Sequence, residues 1–161
     1  MFRPALVLVL SAAPVAGQAA PDLAPPEQRA TRIHVDKSDR RMTLYRGDEA
    51  IARYAVRLGD APHGHKQREG DERTPEGDYT INGRNPNSRF HLSLRISYPS
   101  ATDRRRAREG GYPPGGDIMI HGGNAGYRAF DWTDGCIAVT NAEMDRVYAL
   151  VPNGTPIHID P

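Results

Sequence analysis

The chain has one cysteine, Cys136, directly after a glycine, and a histidine, His121, stands fifteen positions before it. A thiol becomes a good nucleophile as the thiolate, which needs a base, a cation or a group of amides close by. Gly135 would let the backbone approach a reacting carbonyl closely. The amides of Asp134, Gly135 and Cys136 could then point at a developing oxyanion. His121 ends the apolar run Ile118-Met119-Ile120, so a short buried strand over Asp117 to His121 would present its ring at a strand end. The carbonyl of Gly122 would be free to hold the imidazole in one tautomer. On residue types alone the pair stays open between this chemistry and a buried, inert thiol with a histidine satisfied by backbone.

Other residues carry weaker signals. His63 and His65, with Glu69 and Asp71, suggest metal ligands, but the two histidines are one residue apart in a polar loop and lack a clear third partner. A polar loop beside the thiol, with no metal, is the better reading, and such a loop could act as a lid or substrate clamp. Lys66, Arg68 and Arg73 in it would pair with substrate carboxylates or stay solvated. His91 and Arg95 lie on the polar face of a strand, lining a cleft or simply facing solvent. Tyr127, Phe130 and Trp132 precede the cysteine and would wall a pocket, pack the loop, or do both.

The elements that must position these groups are mostly strands. Ile33 and Val35 alternate with polar residues over Arg32 to Asp36, then Met42 and Leu44, then Ile51, Tyr54, Val56 and Leu58, with a hairpin turn at Gly47-Asp48. Gly59 to Thr74 is a long polar loop. Tyr79 and Ile81 mark a strand over Gly77 to Asn82, and Phe90, Leu92, Leu94 and Ile96 another, with His91 and Ser93 on its opposite face. Ser100 to Glu109 reads as a helix capped by Ser100 and stopped at Gly110-Gly111. Gly122 to Asp134 is a loop, and Ile137 to Val139 a strand fragment. Thr140-Asn141-Ala142-Glu143 fits a capping box ahead of a helix with Met144, Val147, Tyr148 and Val151 on one side. Thr155 to Ile159 closes the chain as a strand. The expected fold is mainly β, a sandwich or barrel-like domain with two short helices.

The length, 161 residues, fits one domain with a core of its own. Arg3, the apolar run Ala5 to Val15 and small residues to Ala19 read as an export signal over residues 1–19, too short to span a bilayer comfortably. Residues 20–30, with Pro21 to Glu27 at their centre, read as a linker, and 31–161 as the domain. The 21 basic and 20 acidic residues nearly balance, which removes the electrostatic case for nucleic acid. Arg104, Arg105, Arg106 and Arg108 read as a solvated helix face, with anionic polymers as the functional alternative. A lone cysteine in an exported chain has no partner for an internal disulfide.

Several ordered motifs together resemble the L,D-transpeptidase (YkuD) catalytic domain. They are Ile120-His121-Gly122-Gly123 followed by Thr133-Asp134-Gly135-Cys136-Ile137, the segment Thr74-Pro75-Glu76-Gly77-Asp78-Tyr79, and Asn153-Gly154-Thr155-Pro156-Ile157. Gly64-His65-Lys66-Gln67-Arg68-Glu69-Gly70, Phe90-His91 with Tyr98-Pro99, and Asp131-Trp132-Thr133 are similar to the YafK-like branch. The resemblance covers about Thr31 to the end. It implies a β-rich fold with Cys136 as nucleophile, His121 as base, the Gly122 carbonyl orienting that base, and Asp134, Gly135 and Cys136 amides as oxyanion donors. His65, Arg68, Arg73, His91, Trp132 and Thr133 are the candidates for substrate contact.

The implied partner is peptidoglycan stem peptide in the periplasm of a Gram-negative envelope, with no cofactor and no nucleic acid. The implied reaction is transpeptidation through a thioester at a diaminopimelate amide. The alternatives are hydrolysis of the same bonds, including release of a wall-attached lipoprotein, a wall-binding module without catalysis, and a regulatory redox thiol. Asp134 stands where many members have His, and Ala138 where many have Arg, which weakens cross-linking more than it weakens a cysteine acyl enzyme.

Overall fold

The computed structural model describes residues 19–123 and 130–161. The expected signal segment before Ala19, and Tyr127, lie outside the described residues. Eight strands follow the chain as β1 (Arg32–Asp36), β2 (Arg41–Arg46), β3 (Glu49–Ala55), β4 (Gly77–Ser88), β5 (His91–Ile96), β6 (Met119–His121), β7 (Ile137–Ala138) and β8 (Pro156–Asp160). Helix α1 (Ala101–Gly110) lies between β5 and β6, and α2 (Asn141–Leu150) between β7 and β8. The sheet order is β3-β2-β1-β8-β4-β5-β6-β7. The mainly β expectation with two short helices holds, in the form of a half-barrel sheet.

Alternation dictates most of this. Ile33, Val35, Met42, Leu44, Ile157 and Ile159 are all essentially buried, because period-two spacing turns them to one face. Gly47 takes the first central place of the two-residue β2–β3 turn with φ 57°, where a side chain would be strained. Strand β4 is the hinge of the sheet. Its first residues, Gly77 to Thr80, pair with β8, and from Ile81 onward it pairs with β5, with register slips between Ile81 and Gly83 and between Asn85 and Ser88. The sheet bends where those irregularities increase local twist.

β4 runs six residues beyond the end expected at Asn82. Asn85-Pro86-Asn87 has turn chemistry, yet Pro86 falls within the second slip, where the ladder asks for no amide. Arg84 holds this extension down by donating to the carbonyls of Tyr148 (2.7 Å) and Val151 (2.5 Å).

Both helices start at reciprocal capping boxes. Ser100 Oγ accepts from the Asp103 amide while the Asp103 carboxylate accepts from the Ser100 amide, and Thr140 and Glu143 do the same for α2. Helix α2 buries Met144, Val147 and Tyr148 against β5. Pro21 to Glu27 is docked rather than loose. The Ala24 amide donates to Ala149 O and the Ala30 amide to Leu150 O, each at 2.9 Å.

Lys37, 2% exposed, follows β1 and donates to Gly64 O, Thr74 O and Glu76 Oε1. This one ammonium ties the end of the first strand to both ends of the polar loop.

Candidate active site

Strands β6 and β7 run parallel, pairing Ile120 with Ile137 and His121 with Ala138. That register brings Cys136, one residue before β7, alongside Met119, with His121 at the far end of the same short ladder. The two isoleucines turn to the core, both fully buried. Residues two apart share a face of a strand, so Cys136 and His121 fall on the opposite one.

His121 is 2% exposed. Its Nδ1 donates to the Gly122 carbonyl at 2.5 Å, which fixes the tautomer and leaves Nε2 as the basic nitrogen. The ring stacks on Phe90 (centroids 4.5 Å apart) and meets the Trp132 edge (5.8 Å). Burial lowers its pKa below the ordinary 6.5, opposed by the Gly122 bond. Gly122 is demanded by space. A Cβ there would sit 2.8 Å from both Asn141 Oδ1 and Phe90 O. The same Asn141 oxygen accepts from the Gly123 amide at 2.7 Å.

The Cys136 side chain is partly exposed. Its thiol donates to Asp117 O at 3.5 Å; among the described residues no hydrogen bond joins it to His121. Desolvation pushes its pKa up to about 11 from the ordinary 9.0, with the Asp134 and Asp117 charges adding to the rise. The Met119 amide and the Lys66 charge act the other way. At neutral pH this describes a neutral thiol beside a neutral imidazole. Asp117, whose carbonyl holds the thiol, has φ 54°, a left-handed conformation that aspartate tolerates better than most residues.

The turn ahead of the cysteine is braced from within and from outside. Thr133 Oγ1 donates to Cys136 O (2.7 Å) and accepts from the Gly135 amide (3.2 Å). Gly135 has φ 122°, and a Cβ there would lie 2.5 Å from Arg73 O. The Trp132 and Thr133 amides donate to Leu58 O, and Asp60 N to Thr133 O. Asp131 accepts from the Leu58 amide (2.9 Å) and from Arg40 Nε (2.9 Å).

The candidate contact residues fare unevenly. Asp134 is exposed at the cavity that Asp117 and Lys66 also line. The Gly135 amide donates to Thr133 Oγ1, which leaves the amides of Asp134 and Cys136 as the candidate oxyanion donors. Thr133 is buried, its hydroxyl committed to bracing the turn. His65 is also committed. Its Nδ1 accepts from the Glu76 amide (3.0 Å), and its Nε2 donates to Asp103 Oδ1 (3.0 Å) beneath α1. His91, at φ 74°, is engaged with Asp145 on α2 (2.7 Å). Arg95 is bonded to Asn82 Oδ1 (3.1 Å) on β4. Arg68 is exposed in the loop, and Arg73 lies over Gly64, its Nη1 3.4 Å from where a Cβ would stand. Trp132 does reach the site, through the His121 ring, whereas Phe130 is 65% exposed.

Phe90, Asp131, Asn141 and the Asp117 carbonyl are parts of the site that the sequence did not offer as such. Asn141 reads only as a helix-start residue. A free polar group of that kind, placed just after a strand, is the signal that would have found it. Among the described residues no three His, Cys, Asp or Glu side chains are grouped to hold a metal ion.

The half-barrel sheet with two short helices defines a class of fold. The L,D-transpeptidase catalytic (YkuD) domain matches residues 30–159, and the chain belongs to that family. Among particular relatives, YafK of Escherichia coli K12 is 32% identical over 130 residues, which cover 74% of this chain and 46% of YafK. The helical cell shape determining protein Pgp2 from Campylobacter jejuni superimposes with a TM-score of 0.63 at 22% identity, over 89% of this chain and 52% of Pgp2. An L,D-transpeptidase from Mycobacterium smegmatis gives a TM-score of 0.57 at 15% identity, over 82% and 59% of the two chains. The two structural likenesses carry the fold. This chain spans about half the length of YafK and Pgp2. Among the described residues no helix is long and apolar enough to cross a membrane.

Proposed function

We propose that this chain is a cysteine acyl enzyme acting on peptidoglycan stem peptides, with transpeptidation at diaminopimelate amides as its reaction. The observation that carries this is the parallel β6–β7 register. It brings Cys136 and His121 to one face, with the imidazole's Nδ1 locked on the Gly122 carbonyl. His121 Nε2 takes the thiol proton as sulfur attacks the amide carbonyl. The amides of Asp134 and Cys136 steady the oxyanion. His121 returns the proton to the departing amine, leaving a thioester. An incoming amine then attacks the thioester and restores the thiol. A change of rotamer at Cys136, from the Asp117 carbonyl toward His121, is the motion this chemistry requires.

Hydrolysis uses every one of these groups, with water in place of the amine. Ala138, wholly buried and in register with His121, favours it as the second reading. No cation stands there to grip a substrate carboxylate, as the Arg common in the family would. A wall-attached lipoprotein is one leaving partner within this reading. Export to the periplasm, by a signal over residues 1–19, completes the proposal.

Purified wall fragments, with and without attached lipoprotein, are incubated with the protein and the products weighed by mass spectrometry. New cross-links identify transpeptidation; trimmed stems or released protein identify hydrolysis. Product formation by Cys136→Ser at the wild-type rate would remove the acyl-enzyme mechanism.

A further inference from the structure

Lys66 is 3% exposed although it sits in the long polar loop. Its Nζ donates to Asp71 Oδ1 (2.8 Å) and Arg68 O (3.1 Å). Asp71 is itself fixed by the amides of Gln67, Arg68 and Arg73. Burying an ammonium is costly even when it is paired, and costlier still once the partner goes. A surface loop has no packing need for one.

The position of this lysine gives the charge a use. It lines a cavity of about 310 Å³ together with Glu69, Glu72, Asp117 and Asp134. Asp117 supplies the carbonyl that holds the Cys136 thiol, and Asp134 belongs to the turn before it. Cys136 adjoins this cavity through Asp117, whose carbonyl accepts from its thiol at 3.5 Å; the carboxylates of Asp117, Asp134, Glu69 and Glu72 oppose a thiolate there, and the Lys66 ammonium favours it together with the Met119 amide. His121 is neutral by burial. Arg73 directs its side chain to Gly64.

We propose that Lys66 is a positioning residue for the nucleophile: its ammonium, braced by Asp71, is the fixed countercharge of the Cys136 thiolate. This rests on Cys136 being the group that must ionise, and it extends that assignment to a residue outside the Cys-His pair. Asp71 accepts from the same ammonium at 2.8 Å and carries the opposite charge. Removing either member therefore moves the thiol in opposite directions.

Iodoacetamide reads this directly, because Cys136 is the single cysteine. The thiolate displaces iodide to form the S–C bond, and the thiol proton passes to solvent. Labelling rate is measured against pH for the wild type and for Lys66→Met, Lys66→Arg and Asp71→Asn. Lys66→Met should label about tenfold more slowly at pH 8, its profile moved to higher pH by about one unit. Lys66→Arg should stay within about threefold of wild type. Asp71→Asn, which leaves the ammonium uncompensated, should move the profile to lower pH and label faster.

A merely structural lysine predicts that Lys66→Met and Asp71→Asn both loosen the loop and shift labelling in the same direction; that result overturns the proposal. If Lys66→Met does not fold, an Asp71→Asn profile that fails to move to lower pH does so alone. Turnover of wall fragments is followed separately. Opposite shifts in labelling with no wild-type turnover would sink the acyl-enzyme function and leave the Lys66 assignment standing.

Discussion

At the scale of single residues, the thiol of Cys136 starts high, near pKa 11, and the imidazole of His121 starts low. Proton transfer between them is uphill in the free protein, so substrate and a moved thiol must make it feasible. Alkylation of the free protein should therefore rise about tenfold per pH unit through pH 8 to 10 and level only toward about 11. A midpoint at or below the ordinary 9.0 would contradict this burial. Stability follows the same two groups. His121 has a depressed pKa, so its contribution is full above 6.5 and is lost as pH falls through its folded value. Cys136 has a raised pKa, so its contribution is full below 9.0 and is lost as pH climbs toward 11. Urea unfolding across this range should show the alkaline loss in wild type and its reduction in Cys136→Ser. Replacing the base, His121→Gln, should lower turnover by about two orders of magnitude or more; a wild-type rate there would place the base elsewhere.

At the scale of elements, two glycines carry the geometry. Gly122→Ala forces a methyl against Asn141 Oδ1 and Phe90 O, and Gly135→Ala adds a left-handed φ to a clash with Arg73 O. Each should cost roughly 2 kcal/mol or more in urea unfolding, with turnover falling further than stability for Gly122→Ala because the His121 bond moves with it. Asp131→Ala removes the Arg40 pair and the acceptor of the Leu58 amide. It should leave far-UV circular dichroism unchanged while reducing activity.

Most strands, the Ser100 cap, the Thr140–Glu143 capping box and the Gly47-Asp48 hairpin could be read from local patterning, because alternation and capping are local physics. The pairing of Cys136 with His121 stays open on residue types alone and comes from the ordered motifs instead. The committed side chains of His65 and His91 could not be read from local patterning, since their partners Asp103 and Asp145 are set by tertiary packing. Polar residues on the right strand looked available from sequence; hydrogen bonds to distant elements decided otherwise.

At the scale of the whole molecule, the segment read as a linker is part of the folded body, closing on the end of α2 through Ala24 and Ala30. Deleting residues 19–30 removes both bonds and should lower the melting temperature by about 5 °C; an unchanged melt would mean the segment only rests on the surface. The half-barrel is similarly closed by Lys37, which holds the polar loop at Gly64, Thr74 and Glu76. Lys37→Met should release that loop, read as faster amide exchange between residues 60 and 76.

The clasp between Arg40 and Asp131 joins positions 91 apart in sequence. Hairpins and capped helices can assemble from neighbouring stretches of chain, whereas this contact must wait until nearly everything between has found its place. Reactivity is therefore the last property a refolding molecule regains and the first it surrenders. In gentle urea the cysteine should begin to label like one in an open peptide while the secondary structure is still whole.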